Sequence, residues 1–202
     1  MSVYTDSTGV WNYTLSGGNA TIGTGGNWRD PGNATTLGTD LSGAITIPST
    51  VDGYPVTGID GFSFKNNSYL TSIDLSGTQV ASIGWQAFSQ CTSLETIHNI
   101  PNSLTNIDRY AFYLTGLISI DLSGTQVTTL TGENFYRCSS LTSIDLPNSL
   151  ISIGTEAFRD CTSLETIDLS GTQVTIIDYR AFSQCTSLTS IDLPNSLISI
   201  GT

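Results

Sequence analysis

The 202-residue chain has few charged residues, and most of those are acidic. Asp, Glu, Lys and Arg make up 11% of the sequence, and 17 acidic against 6 basic side chains give a formal net charge of -11. Such a chain repels a phosphate backbone, and none of its six cations adjoins another in sequence. We therefore expect no binding of nucleic acid.

Long apolar runs and common catalytic motifs are also missing. No apolar run approaches the 18 or so residues that span a bilayer, and no secretory signal is visible at the start of the chain. The sequence has one histidine, His98, and neither a C-x-x-C nor a G-x-S-x-G motif. We expect no membrane insertion, no zinc site, no catalytic triad and no enzyme activity.

What the sequence does contain is a repeat with a period of 23 or 24 residues. Each unit has the pattern L-x-x-I-x-L, except that Asn99 replaces the last Leu in the unit of Leu94, and the alternation predicts a short strand with its Ile and last Leu facing inward. A fixed period of this size predicts a solenoid, because each coil buries its apolar face only against its neighbours. The units begin at Leu70, Leu94, Leu117, Leu141, Leu164 and Leu188.

Three further columns follow in each unit. A second apolar pair, such as Leu150 and Ile153, predicts the next wall of the coil. One phenylalanine per unit predicts a buried stack rather than a ligand site. These are Phe64, Phe88, Phe112, Phe135, Phe158 and Phe182. Four cysteines at one repeat position, Cys91, Cys138, Cys161 and Cys185, are expected to be free buried thiols, since stacked parallel side chains do not converge as a disulfide requires.

The period alternates because two different turns follow the strand. Longer units read "DLSGTQV" and shorter ones "DLPNSL", and the fifteen residues of Leu141–Thr155 recur letter for letter at Leu188–Thr202. The inward positions on both sides of the turn are kept. The core register is therefore expected to survive the change in length.

The run "LTSIDLPNSLISIGTEAFRDCTSL" and the upstream "ITIPSTVDGYPVTGIDGFSF" closely resemble the BspA-like class of leucine-rich repeat proteins, over about residues 44–202. The resemblance implies a mainly β, right-handed curved solenoid with a parallel sheet on one face and short helical or 3-10 turns. It also implies a non-enzymatic role in adhesion or protein binding, at the cell surface or after secretion. None of the family's binding residues is carried over, because the repeat motif is structural.

The first 43 residues do not repeat. "VWNYTLSGGNATI" predicts a β-hairpin, and Trp11, Tyr13 and Trp28 could cover the open end of the first coil. We therefore divide the chain into an N-terminal cap, residues 1–43, and a solenoid, residues 44–202. Its coils start near residues 44, 70, 94, 117, 141, 164 and 188, the last one incomplete. Residues 44–69 form a longer first coil with "VDGYP" inserted at a turn.

Two polar columns are expected on the outside of the strands. The first consists of Asp74, His98, Asp121, Asp145, Asp168 and Asp192, and the second includes Ser119, Ser143 and Thr166. Carboxylates near 5 Å apart repel by about 0.8 kcal/mol at the dielectric of water. The acidic column is therefore either a solvated stripe copied with the repeat, or a site for Ca²⁺ or a basic partner.

The leading hypothesis is a protein-interaction or adhesion module that presents this polar face to a protein or a cell-surface polymer. The alternative is a structural protein that self-associates end to end through its last coil. The apolar residues of that coil are expected to lie partly open: Phe182, Leu188, Ile191, Leu193, Leu197 and Ile200. An edge of a fragment at residue 202 would explain the same feature.

Overall fold

A computed structural model describes residues 2–6, 9–23 and 41–202 and arranges them as a stack of coils. No helix occurs among these residues, and so none could cross a membrane. Over these described ranges the secondary structure is eighteen short strands joined by turns. The predicted repeat solenoid is confirmed.

One wall of the stack consists of the strands of the L-x-x-I-x-L pattern. They are β4 (Gly43–Thr46), β7 (Leu70–Asp74), β9 (Thr96–His98), β11 (Ser119–Asp121), β13 (Ser143–Asp145), β15 (Thr166–Asp168) and β17 (Ser190–Asp192). The order of paired strands is β4-β7-β9, β11-β13 and β15-β17, and each pair is parallel. Ile73, Ile120 and Ile144 point inward and are buried, as the alternation predicts.

The second apolar pair of each coil forms another wall of parallel strands, paired in two separate sheets, whereas the family resemblance implied a parallel sheet on one face. Its strands are β6 (Tyr54–Ile59), β8 (Ser82–Ile83), β10 (Asn106–Ile107), β12 (Thr129–Leu130), β14 (Ser152–Ile153), β16 (Ile176–Ile177) and β18 (Ser199–Ile200). Each coil contributes only two residues from β8 onward. Strands this short show no alternation in sequence, so the second sheet could not be read from it.

The remaining wall was expected to contain short helical or 3-10 turns and instead consists of consecutive hydrogen-bonded turns. The amide of Ala87 donates to the carbonyl of Gly84 at 3.1 Å, whereas the next amide, that of Phe88, donates to Ala111 in the following coil at 2.8 Å. Gln86 and Gln90 have positive φ angles of 54° and 62°. Because these residues have left-handed backbone conformations, the segment cannot continue as a helix, and every second amide points along the stack toward a carbonyl of the next coil.

The interior holds the predicted phenylalanine stack. Neighbouring ring centroids are 5.0 to 5.5 Å apart and the rings are within 12° of parallel. Each cysteine lies beside this column and donates its thiol to the phenylalanine carbonyl of the preceding coil, as Cys161 does to Phe135 at 3.0 Å. All four thiols are free, and Cys91, Cys138 and Cys161 are buried as predicted, whereas Cys185 is half-buried.

The N-terminal strands extend the second sheet. β1 (Ser2–Asp6), β2 (Gly9–Ser16) and β3 (Asn19–Ile22) pair antiparallel in order, and β3 pairs in parallel with β6. The predicted hairpin is confirmed: Gly17 and Gly18 both have positive φ, as a type I′ turn requires. The inserted "VDGYP" forms a second hairpin between β5 (Thr50–Val51) and β6.

Tyr13 anchors these strands to the first coil. It is 2% exposed, and its hydroxyl donates to the carboxylate of Asp52 in the inserted hairpin. The side chain of Trp11 and all of Trp28 lie outside the described residues, so their capping role stays a prediction. The boundary near residue 43 between cap and solenoid also stays a prediction.

Candidate functional site

The strand face, by which we mean the outer side of the first sheet, carries both predicted polar columns. Paired strands place Asp121 beside Asp145 and Asp168 beside Asp192, while Asp74 lies beside His98. The hydroxyl column runs next to it, with Ser119 beside Ser143 and Thr166 beside Ser190. Apart from the half-buried Asp74, these Asp, His, Ser and Thr residues are exposed. Their role in binding stays a prediction.

The aspartates of the longer coils stabilise the turn that follows them. The carboxylate of Asp121 accepts from the Ser123 amide at 2.9 Å and from the Ser123 hydroxyl at 2.6 Å. Asp168 accepts from the Ser170 amide at 2.8 Å in the same way. Each forms an Asx turn, in which a carboxylate satisfies the amide two residues later. These side chains therefore have a structural role.

The aspartates of the shorter coils have no such role. Pro147 and Pro194 stand two residues after Asp145 and Asp192, and proline has no amide hydrogen to donate. Neither carboxylate forms a hydrogen bond in the part of the chain that the structure describes. Asp145 and Asp192 are thus the two aspartates whose side chains are available to a partner.

Asp74 has further partners at the N-terminal end of the column. The Asn99 side-chain amide donates to it at 2.9 Å, and the Ser76 amide donates at 2.8 Å. These hydrogen bonds, together with the nearby His98, hold the pKa of Asp74 below its usual value. His98 itself contacts the Thr96 hydroxyl at 3.1 Å.

The depression nearest to the acidic column is shallow. It measures about 270 Å³, and its lining includes Asp145, Asp168, Ser123 and Asn148. Within the described ranges, no three His, Cys, Asp or Glu side chains come close enough to hold a metal ion. Calcium takes six to eight oxygen ligands, so two neighbouring carboxylates are a poor calcium site.

The last coil exposes the apolar residues expected from its sequence. Leu193 and Ile200 are 47% and 55% exposed, whereas Leu188, Ile191 and Leu197 are half-buried. Phe182 is half-buried because one face of its ring stacks on Phe158 at 5.3 Å and the other lacks a following phenylalanine. A concavity of about 470 Å³ opens beside it.

The turn face, by which we mean the wall of consecutive turns on either side of the phenylalanine column, holds a cluster that sequence reasoning missed. Every described cation lies within three residues of a column phenylalanine. These cations are Lys65, Arg109, Arg137, Arg159 and Arg180. They are far apart in sequence, and aligning them on the repeat is the signal that would have revealed a common wall.

Tyrosines and carboxylates hold this cluster together. Arg109 pairs with Glu133 through two hydrogen bonds of 2.5 Å, and Tyr110 donates to the same carboxylate at 3.2 Å. Arg137 and Arg159 lie 5.2 and 5.4 Å from the centre of the Tyr136 ring. Cation–π contacts of this kind orient guanidinium groups without neutralising them.

The arginines differ in how far they are neutralised. Glu133 raises the pKa of Arg109 through these hydrogen bonds, and Arg159 pairs with Glu156 at 2.7 Å. Arg137 is half exposed and its Nε is 3.5 Å from Asp160. Arg180 packs on the Tyr179 ring at 4.8 Å, and among the described residues no carboxylate pairs with it. Among the four described arginines, Arg180 thus has no carboxylate partner and Arg137 has only the longer contact with Asp160, so these two are the arginines most available to a partner.

The buried cysteines offer no reactive site. Burial raises the pKa of Cys91 to about 12 and that of Cys138 to about 11. The thiolate is the reactive form, so these thiols are inert at neutral pH.

Comparison with known proteins agrees with this architecture. Residues 57–172 and 124–202 match the model of the BspA type leucine rich repeat region, in six copies. No curated protein matches the chain. Among solved structures, a leucine-rich repeat protein of T. pallidum is 29% identical with a TM-score of 0.80, covering 95% of this chain and 83% of that one. A leucine-rich repeat protein from Bacteroides ovatus is 26% identical with a TM-score of 0.61, covering 95% of this chain and 53% of that one.

Proposed function

Since this chain belongs to the BspA-type leucine-rich repeat proteins, we propose that it is a non-enzymatic interaction module whose strand face binds a protein or a cell-surface polymer. The observation that carries this proposal is that four exposed aspartates, from four successive coils, lie beside exposed hydroxyl side chains on a single wall. Stacked coils extend such a surface without a new core for each addition. The carboxylates favour a partner that presents cations or hydroxyl groups.

The surroundings of the single histidine support a role without catalysis. His98 contacts the Thr96 hydroxyl, and within the described residues its ring is hydrogen-bonded to no carboxylate. A hydrolytic triad requires a base that is oriented by a third group next to the nucleophile. The rigid backbone of the stack, in contrast, suits recognition, because a preformed surface loses little conformational freedom on binding.

The test uses a variant of the strand face and a matched variant of the second sheet. Asp145→Arg/Asp192→Arg changes the two aspartates that stabilise no turn, and Thr129→Arg/Ser199→Arg places arginines at exposed strand positions on the other sheet. Immobilised wild-type chain is presented to a panel of purified basic proteins and neutral polysaccharides in biolayer interferometry. A panel member that binds the wild type and the second-sheet variant, and binds the strand-face variant at least tenfold more weakly, supports the proposal. Equal loss in both variants, or no binding at all, would overturn it.

A second candidate function is self-association through the last coil, which the exposure of Leu193 and Ile200 favours. In a chain of these 202 residues, the strand edges of β17 and β18 lie next to this apolar surface. At the other end, β2 and β3 extend the second sheet beyond the first coil. Contact of this surface with another copy would join the chains end to end, as in the filament or scaffold expected from the sequence.

Light scattering after size exclusion, over a concentration series, tests this second candidate. Leu193→Lys places a charge in the apolar surface and should return an associated chain to the monomer. Thr129→Lys, on an exposed strand of the second sheet, is the control. An association that Leu193→Lys leaves unchanged would rule out the last coil as the contact.

A further inference from the structure

Charge is segregated between two walls of the coil stack. All five described cations lie on the turn face, whereas the strand face carries five aspartates and no Lys or Arg. The turn face, where Glu133, Glu156 and Asp160 also lie, therefore has a small excess of cations, whereas the strand face is acidic apart from His98. Complementary walls on one molecule allow one copy to bind the next.

The available charges on the two walls are separated by the same number of coils, although Arg137 follows its phenylalanine by two residues and Arg180 precedes its own by two. Arg137 and Arg180 belong to coils two steps apart, in which successive phenylalanine rings are separated by 5.4 and 5.3 Å. Asp145 and Asp192 also belong to coils two steps apart, in β13 and β17. Because both pairs lie on the same stack, the distance along the stack is about 10 Å in each case.

Aromatic rings lie beside these arginines and add contact area. Tyr136 and Tyr179 pack against the guanidinium groups of Arg137 and Arg180, at 5.2 and 4.8 Å. Tyrosine and arginine are enriched at the centres of protein interfaces, where a rigid ring buries a large area at low entropic cost. Guanidinium groups on the Tyr136 ring reduce the ring area that a sugar could stack on, which favours a protein occupant.

We propose that the turn face of one copy docks on the strand face of a second copy, with Arg137 and Arg180 opposite Asp145 and Asp192. This inference rests on the proposed use of the strand face in binding and names a partner for it. The contact joins two different surfaces and is therefore heterologous, so a chain that uses it grows beyond a pair unless the geometry closes.

Two charge-reversed variants test the proposal. The first, Asp145→Arg/Asp192→Arg, makes the strand face basic, and His98 already places a potential cation in that column. The second, Arg137→Asp/Arg180→Glu, makes the turn face acidic. Its substitutions have precedents in the same columns, since Asp160 and Glu133 occupy equivalent turn positions with positive φ. Because histidine, aspartate and glutamate already occupy these repeat positions in other coils, we expect both variants to fold.

Sedimentation velocity over a concentration series is the measurement. The wild type should associate, each variant alone should associate with a dissociation constant at least about tenfold higher, and the equimolar mixture should recover wild-type affinity. Recovery follows because the acidic turn face of one variant meets the basic strand face of the other. The dependence of association on salt concentration would not test the contact, since salt screens both the local attraction and the repulsion between chains of like net charge.

A wild type that stays monomeric at all concentrations, or a mixture that does not recover, would overturn the proposal. Association that both variants keep and Leu193→Lys abolishes would assign the contact to the last coil instead. The proposed function is tested separately, because binding of a panel protein to the strand face does not require the turn face of a second copy. A monomeric wild type that still binds such a protein would overturn this inference alone.

Discussion

Replacing Asp121 and Asp145 by alanine, one at a time, compares two aspartates that have the same strand sequence and different turns. Both follow "SI" and precede Leu on exposed strands of the first sheet. Asp121 accepts two hydrogen bonds from Ser123, whereas Asp145 precedes Leu146 and Pro147 and accepts none in the described part of the chain. The two substitutions should therefore differ in stability although they remove the same side chain.

The expected difference follows from the hydrogen bonds. Removing a side chain that caps a backbone amide costs about 1 kcal/mol, within a range of roughly 0.5–2. An exposed side chain without such contacts changes the free energy of unfolding by less than about 0.5 kcal/mol. For a chain of this size, 1 kcal/mol corresponds to a shift of about 2–4 °C in Tm. Asp121→Ala should lower Tm by that amount, and Asp145→Ala should leave it nearly unchanged.

Thermal unfolding followed by circular dichroism measures both variants, and hydrogen exchange adds a local readout. The Ser123 amide should exchange faster in Asp121→Ala and at the wild-type rate in Asp145→Ala. Asp121→Asn is the control, because its side-chain oxygen still accepts from that amide and should retain most of the stability. Equal shifts of Tm for the two alanine variants would refute the division of the column into turn-stabilising and available aspartates.

Three further predictions concern acid, the phenylalanine stack and the thiols. Hydrogen bonds from Ser170 lower the pKa of Asp168, so the stabilising effect of this carboxylate is present above the unfolded pKa near 3.9 and is lost as pH falls through the lower folded pKa. In urea titrations between pH 2 and 6, Asp168→Asn should weaken the dependence of stability on pH. An unchanged pH profile in this variant would argue against a stabilising role of Asp168. Phe135→Ala should cost about 3–5 kcal/mol in urea unfolding because rings stack on both of its faces, whereas Phe182→Ala should cost clearly less, having one stacked neighbour; equal costs would contradict the stack. With an aromatic disulfide reagent at neutral pH, the half-buried Cys185 should react before the buried Cys91, Cys138 and Cys161, and equal rates for all four in the native protein would contradict their burial.

Much of the core could be predicted because the same apolar positions recur in every repeat. The positions of Ile73, Ile120 and Ile144, and the phenylalanine stack, follow from periods of two residues and of one coil. The same period places the acidic and hydroxyl columns outward on one wall. Each of these inferences needs only two spacings, the two-residue period along a strand and the repeat length between coils, and both can be read from the repeated residues.

The second sheet and the turns could not be read in this way. A strand of two residues, such as Ser152–Ile153, shows no alternation. The left-handed conformations of Gln86, Glu133 and Arg180 occur without glycine, the residue that usually signals positive φ. These conformations are stabilised by amides that bond to the next coil, and that coil is about 24 residues away in sequence.

The candidate surfaces show the same division between sequence and structure. The repeat by itself determined that the chain stacks as coils, that phenylalanines fill the interior, and that aspartates line one outer wall. Only the tertiary structure decided which aspartates are available, since Asp121 is held by Ser123 and Asp145 is not. It also decided how the arginines of the turn face are partnered, since Glu133 holds Arg109 while Arg180 packs on Tyr179, and contacts between side chains of neighbouring coils depend on how the coils pack.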